Sequence, residues 1–147
     1  MGRAGGVPAA RLNKIDVFSD GAARGNPGPA AIAYAIYDET GKCVESNSRL
    51  IGRATNNEAE YQALMLAMDR AHVHCTGTAH FHLDSTLVVN QVNGEYRAKD
   101  ERMREFLREV LSRMGRFAQA RVTHVPREDA RIQFVDWMVN KALDRAA

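Results

Sequence analysis

The spacing of apolar residues changes about a third of the way along this chain. The first third carries three short runs rich in apolar and β-branched residues, which predict an antiparallel meander of strands joined by short loops. From residue 57 onward, longer segments with a helical period alternate with short apolar runs, which predicts helical crossovers between parallel strands. The predicted strands are residues 15–19, 30–37, 42–51, 79–83 and 120–125, and the predicted helices are residues 57–73, 85–92, 101–114 and 134–146.

These elements make one α/β domain with a mixed sheet, for which 147 residues suffice. We assign residues 14–147 to this domain and residues 1–13, rich in Gly, Ala, Arg and Pro, to a flexible tail. The tail lacks the apolar core of a signal peptide, and no segment approaches the roughly 18 apolar residues of a membrane span. Cys43 and Cys75 form no CxxC pair, so we expect free thiols in a reducing, cytoplasmic compartment.

The charge of the chain does not select a partner. A net charge of +2 is only mildly basic. Basic residues are nevertheless crowded between residues 97 and 121, where Glu101, Glu105 and Glu109 are interleaved with them. This pattern is typical of a solvated, ion-paired helix face and equally of a surface that faces phosphates, and patterning alone leaves both open.

Two acidic residues stand at the ends of predicted strands. Asp20 ends the first strand and Asp84 follows the fourth. Ligands of open α/β sheets bind at the carboxyl ends of the strands, so two parallel neighbours would bring these carboxylates side by side. Taken singly, each acid is explained as well by a helix cap or a turn.

The helix predicted from residue 57 holds two acids with different roles. Glu60 is in phase with the apolar stripe that contains Ala63 and Leu64, and a carboxylate on a buried face is costly unless it is paired or bound to metal. Glu58 stands three residues after Thr55, which is the spacing of a capping box. Glu60 is therefore the candidate ligand, and Glu58 the candidate cap.

A fourth candidate lies near the C-terminus. Asp136 falls in the first turn of the last predicted helix, where the helix dipole favours negative charge, and Asp129 and Asp144 have equally good surface explanations. Spacing alone does not decide among the three. Carboxylates gathered in one place would require a divalent cation, and such clusters commonly hydrolyse phosphodiesters.

A competing zinc site starts from His80, His82 and Asp84. These residues share one face of the fourth strand, and two histidines with one aspartate can chelate zinc. The pattern resembles the opening of metallo-β-lactamase-like hydrolases, which have a histidine where this chain has Ser85. Only His124 remains downstream, so the ligand count falls short.

Several motifs follow one another in a fixed order along the chain. They are Ser19-Asp20-Gly21, Gly25-Asn26-Pro27-Gly28, the segment 52–60 containing Thr55-Asn56-Asn57-Glu58-Ala59-Glu60, Asp84-Ser85, His124-Val125-Pro126 and Asp136 with Asn140. Together they resemble type 1 ribonuclease H in its compact bacterial and archaeal form, over about residues 14 to 145.

The resemblance implies a fold and an activity. The fold is a five-stranded mixed sheet of order 3-2-1-4-5, its first three strands antiparallel, flanked by helices. The activity is cleavage of the RNA strand of RNA/DNA hybrids, leaving 5′-phosphate and 3′-hydroxyl ends. The family's ligands for two Mg²⁺ ions, which Mn²⁺ could replace, fall on Asp20, Glu60, Asp84 and Asp136. The alternative is a hybrid-binding module without turnover, but a pure binder gains nothing from repelling carboxylates. We expect a monomer.

The resemblance also implies residues that bind the hybrid. Amide side chains can donate and accept hydrogen bonds at the 2′-hydroxyls in the minor groove, and Arg53 with Thr55 resembles a pocket for a phosphate of the DNA strand. The implied substrate-binding residues are Gly21, Asn26, Arg53, Thr55, Asn56, Asn57 and Ser85.

The chain departs from the family pattern in two places. The segment between His124 and Asp136 is slightly longer than usual, and Ile132 stands where the family has an asparagine. His124 is a candidate proton shuttle in this altered loop, or else an exposed histidine at a strand end. Residues 93–104 are too few for the basic, Trp-rich protrusion of some relatives, so hybrid binding is expected to be weaker and more sensitive to salt.

Overall fold

The computed structural model describes residues 11–147, and all nine predicted elements are present. The strands are β1 (Leu12–Ala23), β2 (Gly28–Tyr37), β3 (Cys43–Ala54), β4 (Cys75–Leu83) and β5 (Gln119–His124). The helices are α1 (Asn56–His74), α2 (Thr86–Val92), α3 (Glu101–Met114) and α4 (Ala130–Ala146).

The strands form one mixed sheet in the order β3-β2-β1-β4-β5. β1, β2 and β3 pair antiparallel, whereas β4 is parallel to both β1 and β5. The expected strand order and the antiparallel first half are confirmed. Helical crossovers between β3 and β4 and between β4 and β5 allow the parallel pairing, as the change of period predicts.

Both predicted ends of β1 are wrong. β1 begins at Leu12, which pairs with Cys75, so the domain begins before residue 14. The rest of the predicted tail, residues 1–10, lies outside the described residues. At its other end β1 continues past Asp20 as far as Ala23, because β2 supplies antiparallel partners along that whole length.

The last helix begins one turn earlier than predicted. Its cap is Asp129, whose Oδ1 accepts hydrogen bonds from the backbone N–H groups of Arg131 and Ile132. Asp136 therefore lies in the second turn, where the helix dipole no longer explains its charge. The capping role belongs to Asp129.

Helices cover both faces of the sheet. Helix α1, with α2 and α3 beside it, covers a core that contains Ile15, Val17 and Phe81. Helix α4 packs on the other face, where the small side chains of Ala33 and Ala35 let it approach the strands closely. None of the helices in residues 11–147 is long and apolar enough to cross a membrane.

The arginines of α3 are mostly ion-paired, which supports the solvated-face explanation for the basic segment. Arg108 contacts Glu101 on the same helix, and Arg113 contacts Glu109 at 2.7 Å as well as Asp69 of α1 at 3.0 Å. The pair of Arg113 with Asp69 ties α3 to α1, and each arginine of α3 contacts at least one acid.

Candidate metal centre

Three of the predicted carboxylates converge at one edge of the sheet. Asp20, Glu60 and Asp84 each offer an oxygen, and these three oxygens lie within 4.8 Å of one another. The strand register explains the meeting of the two aspartates. The parallel pairing of β1 with β4 ends at Phe18 and His82, so Asp20 and Asp84 each lie two residues beyond the last pair.

Gly21 brings the third carboxylate into place. Its backbone N–H donates to Glu60 Oε1 at 3.0 Å. A Cβ at this position would overlap the backbone carbonyl of Ala59, so only glycine lets β1 approach α1 this closely. Gly21 was predicted to bind substrate, and the structure gives it a role in positioning Glu60.

The electrostatics of the cluster are unfavourable without a cation. Asp20 is only 6% exposed, and burial together with the charges of Asp84 and Asp136 raises its pKa to about 8. Burial, and then the charges of Asp20 and Asp84, raise the pKa of Glu60 well above its usual range. Both shifts arise because desolvation and like charges disfavour the ionised form.

One oxygen of the cluster has no partner. Asp20 Oδ2 is buried and accepts no hydrogen bond from any residue in the range 11–147. Buried polar atoms are almost always satisfied in native proteins, so an orphaned carboxylate oxygen calls for an explanation. A hard divalent cation such as Mg²⁺ or Mn²⁺ prefers such carboxylate oxygens, and the donor set therefore fits one.

The fourth predicted ligand lies at the rim of this cluster. Asp136 is exposed on α4, outside the group of three that meet within 4.8 Å, yet its charge contributes to the raised pKa values of Asp20 and Glu60. Asp84 is approached by Arg127, whose Nε lies 3.7 Å from Oδ2. The cap of α2 is Ser85 rather than Asp84, which removes the capping explanation for Asp84.

The predicted hybrid-binding loop is attached to the start of α1. The amide oxygen of Asn26 accepts from the backbone N–H of Asn56 at 3.0 Å, and the amide oxygen of Asn56 accepts from the backbone N–H of Ala23 at 2.9 Å. Thr55 caps α1 in the predicted capping box with Glu58. The segment 24–28 and the start of α1 thus form one connected surface next to Gly21.

Comparison with known proteins agrees with this geometry. The Reverse transcriptase-like family model matches residues 18–142. A ribonuclease HI from Halobacterium salinarum is 36% identical over 136 residues, which cover 92% of this chain and 67% of that protein. The chain belongs to the ribonuclease H family.

Solved ribonucleases H have the same fold. The crystal structure of the Halobacterium salinarum RNase H1 superposes with a TM-score of 0.85 at 35% identity, covering 90% of this chain and 98% of that one. LC11-RNase H1 in complex with an RNA/DNA hybrid gives a TM-score of 0.82, also at 35% identity, over 90% of this chain and 98% of that one.

The bifunctional protein Rv2228c of Mycobacterium tuberculosis is 34% identical in sequence over 91% of this chain, and the match covers 36% of that protein.

The remaining predicted site residues of this ribonuclease H are spread around the same edge. His124 is exposed at the end of β5, where it pairs with Leu83, the residue before Asp84. Asn57 lines a groove of about 490 Å³ with Tyr96 and Lys99. Arg53 is exposed, and its Nη2 lies 3.5 Å from the carbonyl oxygen of Pro27.

The zinc interpretation is not supported by the positions of the histidines. His82 Nε2 lies 2.8 Å from Asp16 Oδ1, its Nδ1 lies 3.1 Å from Thr123 Oγ1, and His80 also turns towards Asp16. Asp16 precedes Asp20 by four residues on β1, which separates the two by roughly 13 Å. Both histidines therefore belong to a polar cluster around Asp16, and neither joins the group of three carboxylates that meet within 4.8 Å.

One contact of the site was missed by the sequence analysis. Arg24 pairs with Asp144 of α4 at 2.7 Å and approaches the Asn140 carbonyl oxygen at 3.4 Å, while the Asn140 side chain donates to the backbone carbonyl of Asp136. These contacts connect the loop of Asn26 to the helix of Asp136. Asp136, Asn140 and Asp144 are spaced four residues apart, which predicts that they share one face of α4. Nothing in the sequence indicates that Arg24 contacts that face.

Proposed function

We propose that this ribonuclease H cleaves the RNA strand of RNA/DNA hybrids with two Mg²⁺ ions, which Mn²⁺ could replace. The products would carry 5′-phosphate and 3′-hydroxyl ends. The observation that carries the proposal is the carboxylate cluster with its orphaned Asp20 oxygen. The hybrid bound to LC11-RNase H1 supports the substrate class.

Asp20, Glu60, Asp84 and Asp136 would hold the cations. Bound there, the two ions would activate a water molecule as the nucleophile and stabilise the departing 3′ oxygen. The protein contributes by keeping Asp20 buried, by fixing Glu60 through the Gly21 N–H, and by placing Asp136 at the open rim. The charge that makes the metal-free cluster unfavourable is the property that would select a divalent ion.

The proposed contacts to the hybrid follow from donors that remain available. The amide oxygens of Asn26 and Asn56 already accept from the backbone, which leaves their NH₂ groups to donate to 2′-hydroxyl or base acceptors. Thr55 and Ser85 use their side-chain oxygens as helix caps, so each hydroxyl hydrogen is available to a phosphate. Arg53 and Asn57 would extend this surface on either side.

His124 is proposed as a proton shuttle, because it ends the strand next to the one that leads into Asp84. Its exposure gives the side chain room to move towards the reacting phosphate and away from it again. A monomeric state and a cytoplasmic location remain predictions.

The test is cleavage of a labelled RNA strand, in an RNA/DNA hybrid and in duplex RNA, with Mg²⁺ or with EDTA. We expect wild type to cut the hybrid only with metal, and Asp84→Asn to abolish cutting. Hybrid binding without cleavage in either Mg²⁺ or Mn²⁺ would instead favour the catalytically silent hybrid-binding module.

A further inference from the structure

The outer face of α4 carries two exposed aromatic side chains that the carboxylate site does not use. Trp137, the single tryptophan of the chain, is 53% exposed, and Phe134 is 37% exposed. Their rings are stacked, with centroids 6.4 Å apart and planes 15° from parallel. Lys141 places its Nζ 5.8 Å from the centre of the Trp137 ring. We call these three residues the aromatic stripe.

The packing of α4 does not account for the stripe. The core contacts of this helix come from Ile132, Val135 and Val139, which are all buried against the sheet. The stripe has the i, i+3, i+7 spacing of one helix face, and this face is not the one that packs on the sheet. Its rings therefore remain partly exposed to water although the helix is held by its core face. Two large rings ordered against each other in solvent form a surface suited to a partner.

The stripe adjoins the candidate metal centre. Asp136 is the residue before Trp137, so their side chains point about 100° apart around α4, and the stripe lies on a face turned away from the carboxylates. A helix with its side chains is only about 10–12 Å across, so a single strand leaving the carboxylates can pass around α4 from Asp136 to Trp137. A hybrid whose scissile phosphate lies at the carboxylates would therefore pass within reach of α4. The stripe extends the proposed hybrid-binding surface.

The charges around the stripe favour a polyanion. Lys141 and Arg145 are exposed on α4, whereas the Arg131 guanidinium lies over the Phe18 ring, 4.4 Å from its centre, and its Nε is 3.9 Å from Asp129. Of the acids on the same helix, Asp144 is paired with Arg24 at 2.7 Å, and Asp136 belongs to the metal centre. Aromatic rings flanked by cations are the equipment with which proteins bind single-stranded nucleic acid, since bases stack on the rings and phosphates meet the cations.

We propose that the aromatic stripe binds an unpaired, single-stranded extension of the hybrid, with a base stacked at Trp137 and Lys141 at a phosphate. The inference rests on the proposed function, because the hybrid bound at the carboxylates brings its extension to the stripe. A hybrid with an overhang would then be bound more tightly than a blunt one.

The test uses Trp137 as its own reporter. Asp84→Asn with Mg²⁺, and wild type in EDTA, are titrated with blunt hybrids and with hybrids that carry a short RNA or DNA overhang at either end. We expect overhangs of one polarity to quench the tryptophan fluorescence and to bind roughly 5- to 100-fold more tightly than blunt hybrids, as one or two stacked bases would give.

Variants locate the effect, with affinities measured by anisotropy of labelled hybrids. Trp137→Ala should bring the ratio of overhang to blunt affinity to about one, while Trp137→Phe should restore most of it because a ring remains. The matched control is Leu111→Ala, which removes an equally exposed apolar side chain from α3 and should leave the ratio unchanged.

Two results would overturn the inference. One is equal affinity for blunt and extended hybrids with unchanged fluorescence. The other is a dimer in sedimentation that Trp137→Ala dissociates, which would assign the stripe to a second copy of the chain. Metal-dependent cleavage of blunt hybrids by wild type would leave the proposed function standing in either case, whereas its absence would count against that function alone.

Discussion

Two partly or wholly buried carboxylates of this fold have opposite surroundings. Glu45 of β3 accepts a hydrogen bond from Tyr34 and two from Arg70, at 2.7 and 3.0 Å. It also contacts His74 Nε2 at 2.8 Å. The pKa of Glu45 is lowered to about 2, and the largest cause is its hydrogen bonding with Arg70. Asp20 is surrounded by other acids and keeps one orphaned oxygen, and its pKa is raised to about 8.

The difference separates a structural carboxylate from a candidate cation ligand. The chain supplies every partner of Glu45 itself, so that side chain joins β2, β3 and α1 without help. The chain supplies mostly repulsion to Asp20, so the favourable partner has to come from outside the protein. An acid whose folded surroundings disfavour its own charge is a candidate ligand, and this criterion selects Asp20 and Glu60 among the acids of the domain.

The largest expected effect is the loss of activity in Asp20→Asn. Replacing the buried carboxylate by a neutral amide removes a proposed cation ligand, worth several kcal/mol in the transition state, so cleavage should fall by about a thousandfold or more. Steady-state cleavage of a hybrid in Mg²⁺ measures it. Glu45→Gln is the matched control, and activity in that variant should stay within a few-fold of wild type when it is assayed well below its unfolding temperature.

The second prediction concerns the pH dependence of stability without metal. The pKa of Asp20 is 3.8 for the free residue and about 8 in the fold, so between these values the folded state holds a proton that the unfolded chain has lost. Stability therefore falls as pH rises from about 4 to about 8, by an amount on the order of a few kcal/mol. Glu45 acts in the opposite direction, because its low pKa gives stability that is lost only as pH falls from about 4.5 towards 2.

Urea unfolding in EDTA at several pH values measures this slope. Asp20→Asn should reduce the slope, leaving the part that comes from the raised pKa of Glu60, and should be more stable than wild type at pH 8, whereas Glu45→Gln should leave the slope in place. Mg²⁺ should stabilise wild type most at high pH. A metal-free wild type whose stability is flat between pH 5 and 8 would contradict the proposed origin of the raised pKa.

These predictions rest on residues that the sequence located unevenly. Asp84 follows from the end of an apolar strand, and Glu60 follows from the helical phase of the apolar stripe of α1. Asp136 was assigned to the wrong turn because α4 begins at Ala130, directly after the Asp129 cap and one turn before the apolar period becomes clear. Side-chain contacts over long sequence separations, such as those of Glu45, leave no trace in local periodicity.

A smaller effect is expected from Glu45→Gln on stability. The substitution weakens charge-assisted hydrogen bonds from Arg70 and leaves a cation partly buried beside an amide, at a cost of about 1–3 kcal/mol. Thermal or urea unfolding at pH 7 measures it. Arg70→Lys, which keeps the charge but loses the two-point contact, should cost less than Glu45→Gln. If Glu45→Gln lost hybrid cleavage under conditions where it is fully folded, Glu45 would have a role in activity as well as in stability.

The smallest effect is expected from the exposed pair that connects the loop of Asn26 to α4. Arg24 and Asp144 have side chains that are 43% and 61% exposed, so Arg24→Gln should cost only about 0.2–1 kcal/mol in stability. Because the same guanidinium also holds the loop against Asn140, we expect KM for the hybrid to rise by a few-fold while kcat changes little. Asp144→Asn should reproduce the stability change with a smaller change in KM, since it leaves the contact to Asn140 in place. A change in kcat without a change in KM would mean that Arg24 acts on Asp136 rather than on the substrate loop.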